Sequence, residues 1–171
     1  MVLEWMDTDL WKARMHPRSQ DPKLQKLVAR SILEALAVFV DIQETHTDIN
    51  PNNVLISGIE TSTPVIKLAD LGNLCGEGID WVRLQGLAIR APEVWSGLGC
   101  WPASDVWSLG VTVCLTRPDF TALADNFQMA HWLAKPPIFG ASDKVVEGLT
   151  ESWCIAKVKR LVGPLSPSCQ A

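Results

Sequence analysis

No two of the five cysteines (Cys75, Cys100, Cys114, Cys154, Cys169) stand in C-x-x-C spacing, and their number is odd. Neither a zinc site nor a disulfide framework is indicated, and a reducing compartment is expected. Basic charge is not in excess, because 15 Lys and Arg face 19 Asp and Glu for a net charge of −4. That balance excludes the basic footprint of a nucleic-acid binder and leaves an acidic surface suited to a basic protein or peptide. Long apolar runs are missing as well. The longest, ILEALAVFV, contains Glu34 and is too short to span a bilayer, so no membrane segment is expected. The opening MVLEWMDTD is acidic where a secretory leader needs a basic segment and then a long apolar one. A soluble protein of the cytoplasm, the nucleus or both is the expectation. Tyrosine is absent beside eight tryptophans, an imbalance with no physical account. Between Gly72 and Ala91 there is no Ser, Thr or Tyr, which excludes regulatory phosphorylation within that stretch.

What is present suits one globular domain: 47% of the 171 residues are hydrophobic and 20% charged. VLEWM near the start reads as a strand end, and DTDLWKARMHPRSQ as a linker with a helical turn. From Asp21 a helix is predicted, with Asp21 as N-cap and Pro22 at the first position. Leu24, Leu27, Val28, Ile32, Leu36, Phe39 and Val40 form its apolar stripe. Two short strands, VLIS and VIKLAD, follow across a Gly- and Thr-rich turn. Residues 71–103 read as a long irregular loop. A second helix is predicted from near Ser104 through DVWSLGVTVCL. Further helices are expected around 127–133 and over 145–162, with a break at Pro136-Pro137.

The chemistry-bearing stretch is HTDINPNN at 46–53. Asp48 and Asn53 taken alone are ordinary turn residues, which bond their own backbone locally. Order along the chain changes their weight. A hairpin follows, then ADLGN with Asp70 at the end of an aliphatic strand, then RAPEV at 90–94 and SDVWSLG at 104–110.

In that order the chain resembles the C-terminal lobe of the eukaryotic protein kinases, over roughly residues 1–116. HTDINPNN matches the catalytic loop with Thr47 in place of arginine. Asp70-Leu71-Gly72 matches the metal-binding triplet, and Ala91-Pro92-Glu93 the A-P-E triplet. HTDI, ADLGN and the Gln85/Arg90 spacing look most like the SR-protein kinases, which phosphorylate serines in Arg-Ser-rich proteins. The fold implied is mainly α (α+β), a C-lobe with a short β-hairpin beside the catalytic loop. A partial domain over 1–135 and a poorly matched segment over 136–171 are expected.

The resemblance implies ATP and Mg²⁺ as cofactors and a protein, Arg-Ser-rich and basic, as acceptor. Asp48 would orient the acceptor hydroxyl and take its proton, which needs an ionised carboxylate within hydrogen-bond reach. Asn53 and Asp70 would be the metal ligands, since Mg²⁺ prefers hard oxygens. Glu4 and Met6 would meet adenine through their backbone, with Leu55 beneath the base. His46 is expected to be structural, Asp105 to brace the catalytic loop, and Glu93 to pair with a later arginine, Arg117 or Arg160.

Asn50 departs from the pattern, because the catalytic position two after Asp48 is normally a lysine that stabilises the moving phosphate. The threonine usual near Gly86 is missing too. Gly76-Glu77-Gly78 lacks a third glycine and reads as a flexible loop. The resemblance begins at the hinge, so the glycine-rich loop and strand lysine that precede it are expected to be absent, leaving weak or no transfer. Two readings compete: a serine/threonine kinase domain present in part, and a non-catalytic, pseudokinase-like module that binds proteins. A small-molecule phosphotransferase fits less well, since Ala91-Pro92-Glu93 and SDVWSLG argue against it.

Overall fold

A computed structural model describes residues 3–113, 141, 144 and 147–162. Its longest element is a helix, α2 (Pro22–Asp41), and local chemistry fixes where it begins. Asp21 caps it by accepting the Lys23 N–H at 2.9 Å, and Pro22 occupies the first turn, where no N–H is needed. Leu24, Val28, Ile32 and Leu36 recur at helical spacing and are buried. Val40, predicted on the same stripe, is 52% exposed because the last turn overhangs the core.

Two short elements precede it, β1 (Thr8–Asp9) and α1 (Leu10–Ala13). The strand end expected in VLEWM is not there. Residues Leu3–Met6 carry no ladder and are fastened by side chains instead: Glu4 pairs with Lys67, and Met6 Sδ accepts from Ser57 Oγ. The linker read after them holds β1, α1 and a 3₁₀ turn at Pro17–Gln20.

The predicted hairpin is β3 (Val54–Ser57) with β4 (Val65–Leu68), antiparallel and joined through Gly58 at φ 65°. With β1 on the other side of β3, the sheet order is β1-β3-β4. Val54 and Ile56 alternate inward, so one face of the hairpin lies on α2 and the other faces outward with Leu55 and Lys67, which are cross-strand partners. A second small ladder pairs β2 (Glu44–Thr45) with β5 (Cys75–Gly76).

The stretch predicted as an irregular loop, 71–103, is more ordered than its glycines suggested. It contains a 3₁₀ turn at Leu71–Asn73, strand β5 and a short helix, α3 (Pro92–Trp95). The next helix, α4 (Pro102–Thr112), begins two residues before Ser104. Pro102 sits at its first turn, and Ser104 Oγ accepts the Trp101 N–H at 3.1 Å. The helix ends at Thr112, with Val113 extended as its C-cap, short of the predicted run through Leu115; the helix expected at 127–133 and the Pro136-Pro137 break lie outside the described residues. The last helix, α5 (Thr150–Val162), starts later than predicted, after Gly148 at φ 81°.

Helix α4 joins two packing centres. Leu109 and Val113 close the main core with α1, α2, Ile49, Val54 and Ile56. Val111 closes a second with Ile89, Trp95 and, from α5, Cys154 and Val158. No helix among the described residues is long and apolar enough to cross a membrane.

Candidate functional site

The loop 46–53 runs from β2 to β3 and is held from three sides. Asp105, on α4 and 1% exposed, accepts the His46 N–H at 2.6 Å on one carboxylate oxygen and the Thr47 N–H at 2.9 Å on the other. Burial pushes the Asp105 carboxyl up from its ordinary value, against the downward pull of those two bonds. The His46 ring, fully buried, accepts the Asp48 N–H at Nδ1 (3.3 Å) and lies 3.0 Å from the Ala69 carbonyl at Nε2. With Nδ1 accepting, Nε2 is the ring nitrogen left to donate to the Ala69 carbonyl. Thr112 Oγ1, from α4, donates to the Ile49 carbonyl at 2.9 Å.

These anchors present three of the predicted residues together. Asn53 Nδ2 donates to the Asp48 carbonyl (2.8 Å) and to Asp48 Oδ2 (2.9 Å). Asn50 Nδ2 donates to Asp48 Oδ1 at 2.8 Å, while its own Oδ1 accepts the Asn52 N–H at 2.9 Å. Each carboxylate oxygen of Asp48 therefore already holds one amide N–H. Where a lysine would place a cation, Asn50 places a neutral clamp.

Asp70 is brought to the same loop through its neighbour. Ala69 donates its N–H to the Asn53 carbonyl at 2.8 Å and offers its carbonyl to His46, so both backbone groups before Asp70 are spent on the loop. Asp70 itself is exposed, in the left-handed region (φ 64°), with Oδ1 accepting the Gly72 N–H at 3.2 Å. Asn and Asp adopt that conformation more readily than most residues, because their short side chains bond locally.

The oxygens present fit magnesium in a shared form. With Nδ2 turned to Asp48, the Asn53 amide oxygen faces away and meets no donor among the described residues. Asp70 supplies an exposed anionic oxygen. Mg²⁺ is commonly held by one or two such protein oxygens, with phosphates and water completing the shell. No cluster of three or more His, Cys, Asp or Glu that could hold an ion unaided occurs among the described residues.

The predicted nucleotide contacts also share one surface. Leu55 is half-buried on the outer face of the hairpin, beside Lys67, whose ammonium pairs with Glu4. Asp7 donates its N–H to Ser57 Oγ (3.0 Å) and accepts the Gly58 N–H (2.8 Å), which draws residues 4–7 along that face. The backbone groups of Glu4 and Met6 have no backbone partner among the described residues. Lys67 was not singled out from the sequence, though its alternation with Leu68 puts it on the outward face.

Glu93 accepts from Ser104 Oγ at 2.5 Å; of the two arginines expected to pair with it, Arg160 is exposed on α5 and Arg117 lies outside the described residues. Gln85 and Arg90 face inward as scaffolding. Gln85 spans Ser104, Ser108 and the Ala91 N–H, while Arg90 donates to the carbonyls of Arg83, Leu84 and Gln85 and lies over the Trp95 ring.

A family model described as the protein kinase domain matches residues 1–130. Among curated relatives, the probable serine/threonine-protein kinase yakA of Dictyostelium discoideum is 32% identical over 107 residues, covering 62% of this chain and 7% of that protein. The DYRK-family kinase pom1 of Schizosaccharomyces pombe is 28% identical over 119 residues, covering 69% and 11%. The serine/threonine-protein kinase cst-1 of Caenorhabditis elegans is 31% identical over 138 residues, covering 76% and 26%. The chain thus spans about a quarter or less of the length of these relatives.

Proposed function

The chain belongs to the protein kinase domain family, and from that premise we propose that it carries the acceptor- and metal-binding part of a serine/threonine protein kinase, acting in ATP-dependent phosphoryl transfer to protein serine. The observation that carries this reading is the Asp48 carboxylate held between Asn50 and Asn53, with Asp70 tethered to the same loop through Ala69. Phosphoryl transfer asks little covalent chemistry of a protein. It asks for a fixed acceptor, in-line geometry and neutralised charge.

Asp48 keeps lone pairs beyond the two amide bonds and orients the acceptor hydroxyl, taking its proton as the bond to phosphorus forms. Asn53 and Asp70 hold magnesium, which when bound neutralises the phosphate oxygens. Leu55 supplies an apolar seat for adenine, and the free backbone groups of Glu4 and Met6 its polar edge. A basic, Arg-Ser-rich acceptor suits the net charge of −4. Gln85 and Arg90 support that acceptor class only through the subfamily pattern, because both side chains point into the fold.

A second reading, a protein-binding module without turnover, is favoured by one observation: the Asn50 clamp on Asp48 in place of a cation. Calorimetry with Mg-ATP on the 171-residue chain tests the first reading, together with transfer to an Arg-Ser peptide and to the same peptide with its arginines replaced. Weak Mg-dependent binding that Asp70→Asn removes is expected. Nucleotide binding indifferent to both magnesium and Asp70→Asn would overturn the site. Binding without any transfer by either the wild type or Asn50→Lys would select the second reading.

A further inference from the structure

Residues 4–7 cross the outer face of the hairpin and are fastened to both of its strands. At the turn end of β3, Ser57 Oγ accepts the Asp7 N–H at 3.0 Å and donates to Met6 Sδ at 3.7 Å, while Asp7 Oδ2 accepts the Gly58 N–H at 2.8 Å. On β4 the fastening is one ion pair, from Lys67 Nζ to a Glu4 carboxylate oxygen. Lys67 lies directly across from Leu55, and Ser57 across from Val65, so the two ties stand two rungs apart on opposite strands. Leu55 is next to both, on the same face.

The run is otherwise thinly held. No backbone group of Leu3–Met6 has a backbone partner among the described residues, and Leu3 and Trp5, on either side of Glu4, are 74% and 83% exposed. An extended segment outside a ladder keeps its conformational freedom unless side chains remove it. The Lys67–Glu4 pair is itself exposed on both sides, and such a pair adds little to folding. What it sets is geometry. With Glu4 drawn to β4, the unpaired backbone groups of Glu4 and Met6 are held along the face that carries Leu55.

We propose that Lys67 is a positioning residue for a nucleotide base: its hold on Glu4 sets the polar edge formed by the Glu4 and Met6 backbone against the apolar seat at Leu55, without Lys67 touching the base. The inference rests on the nucleotide-binding reading above and adds the residue on which base recognition depends. Without the tie, binding a base must itself order residues 3–6, and that ordering is subtracted from affinity. Only the base bears this loss. A triphosphate without a base meets Asp70 and Asn53 at the other end of the hairpin and is indifferent to where Glu4 lies.

The experiment measures, by titration calorimetry on the 171-residue chain, the affinity for Mg-ATP and for magnesium tripolyphosphate, which has phosphates and no base. Lys67→Met and Glu4→Gln are each expected to weaken Mg-ATP by roughly two- to fivefold, the range open to an exposed ion pair, and to leave tripolyphosphate unchanged. Lys67→Arg should bind Mg-ATP as the wild type does. Combining Glu4→Lys with Lys67→Glu should recover what each loses alone, with thermal melting used to confirm that every variant folds. Mg-ATP affinity indifferent to Lys67→Met would overturn the proposal and leave the nucleotide reading intact. So would equal losses for Mg-ATP and tripolyphosphate, the mark of a simple counter-charge for phosphate. A wild type with no affinity for Mg-ATP, or none beyond that for tripolyphosphate, would overturn the nucleotide reading and this inference together.

Discussion

Asp105 and Thr47 meet where the loop 46–53 turns left-handed: Thr47 has φ 65°, and its N–H donates to Asp105 Oδ1 at 2.9 Å. A β-branched residue in that region is strained by roughly 1–3 kcal/mol. The buried carboxylate offsets the strain by satisfying two adjacent amides at once, His46 included.

Asp105→Asn keeps the shape but turns an NH₂ toward one of those donors. One buried amide is then left unsatisfied, and the expected loss is about 1–3 kcal/mol of folding stability by urea denaturation. An unchanged midpoint and slope would show that the carboxylate braces nothing.

Cys100 gives a pH dependence whose sign can be worked out. Its thiol is raised from 9.0 in the unfolded chain to about 12 in the folded one. As pH climbs past 9 the unfolded chain sheds this proton first, so the group's contribution is fully present below about 9 and is lost as pH rises toward 12. The slope approaches about 1.4 kcal/mol per pH unit within that window. Cys100→Ala should show a flatter stability profile than wild type from pH 8 to 10, and parallel profiles would count against the buried thiol.

Asp70→Asn separates metal binding from folding. Asparagine tolerates the φ of 64° at this exposed position, so stability should move by less than about 0.5 kcal/mol. Mg-dependent nucleotide binding should weaken by roughly tenfold or more, since even residues behind the ligands commonly matter that much. Intact affinity would remove Asp70 from the metal site.

Asn50→Lys exchanges the amide clamp on Asp48 for a cation. Peptide phosphorylation is expected to rise by roughly 10² to 10³, the scale of one charge-stabilising donor, and Asp48→Asn in the same background should abolish it. A rate unmoved by the lysine would place the limit elsewhere than in the missing charge.

How far the sequence could be read depended on whether the deciding contacts were local. Asp21, Pro22 and the Leu24–Leu36 stripe specify α2 by short-range capping and periodicity, and the hairpin followed from alternation around a glycine turn. Asp48 and Asn53 were legible because they belong to one contiguous motif. Contacts distant along the chain left no such trace. The Ala69 backbone holds Asp70 to the loop without any side-chain signal, and Glu4 reaches Lys67 across 63 residues. The bond from Ser104 to Glu93 was not foreseen, because a helix-start serine eleven residues away leaves no pattern in the sequence. The order within 71–103 was missed because β5 and α3 are too short for periodicity to register.

Thr47 Oγ1 donates to the Asn73 carbonyl at 2.9 Å and so joins the loop to the segment that follows the triplet without using any charge. An arginine–phosphate tie at such a place is weakened as salt screens it, and waits on another enzyme to install the phosphate. A hydroxyl-to-carbonyl bond is indifferent to ionic strength and exists from the moment the chain folds. The register between loop and segment is therefore constitutive, set at synthesis rather than by signalling.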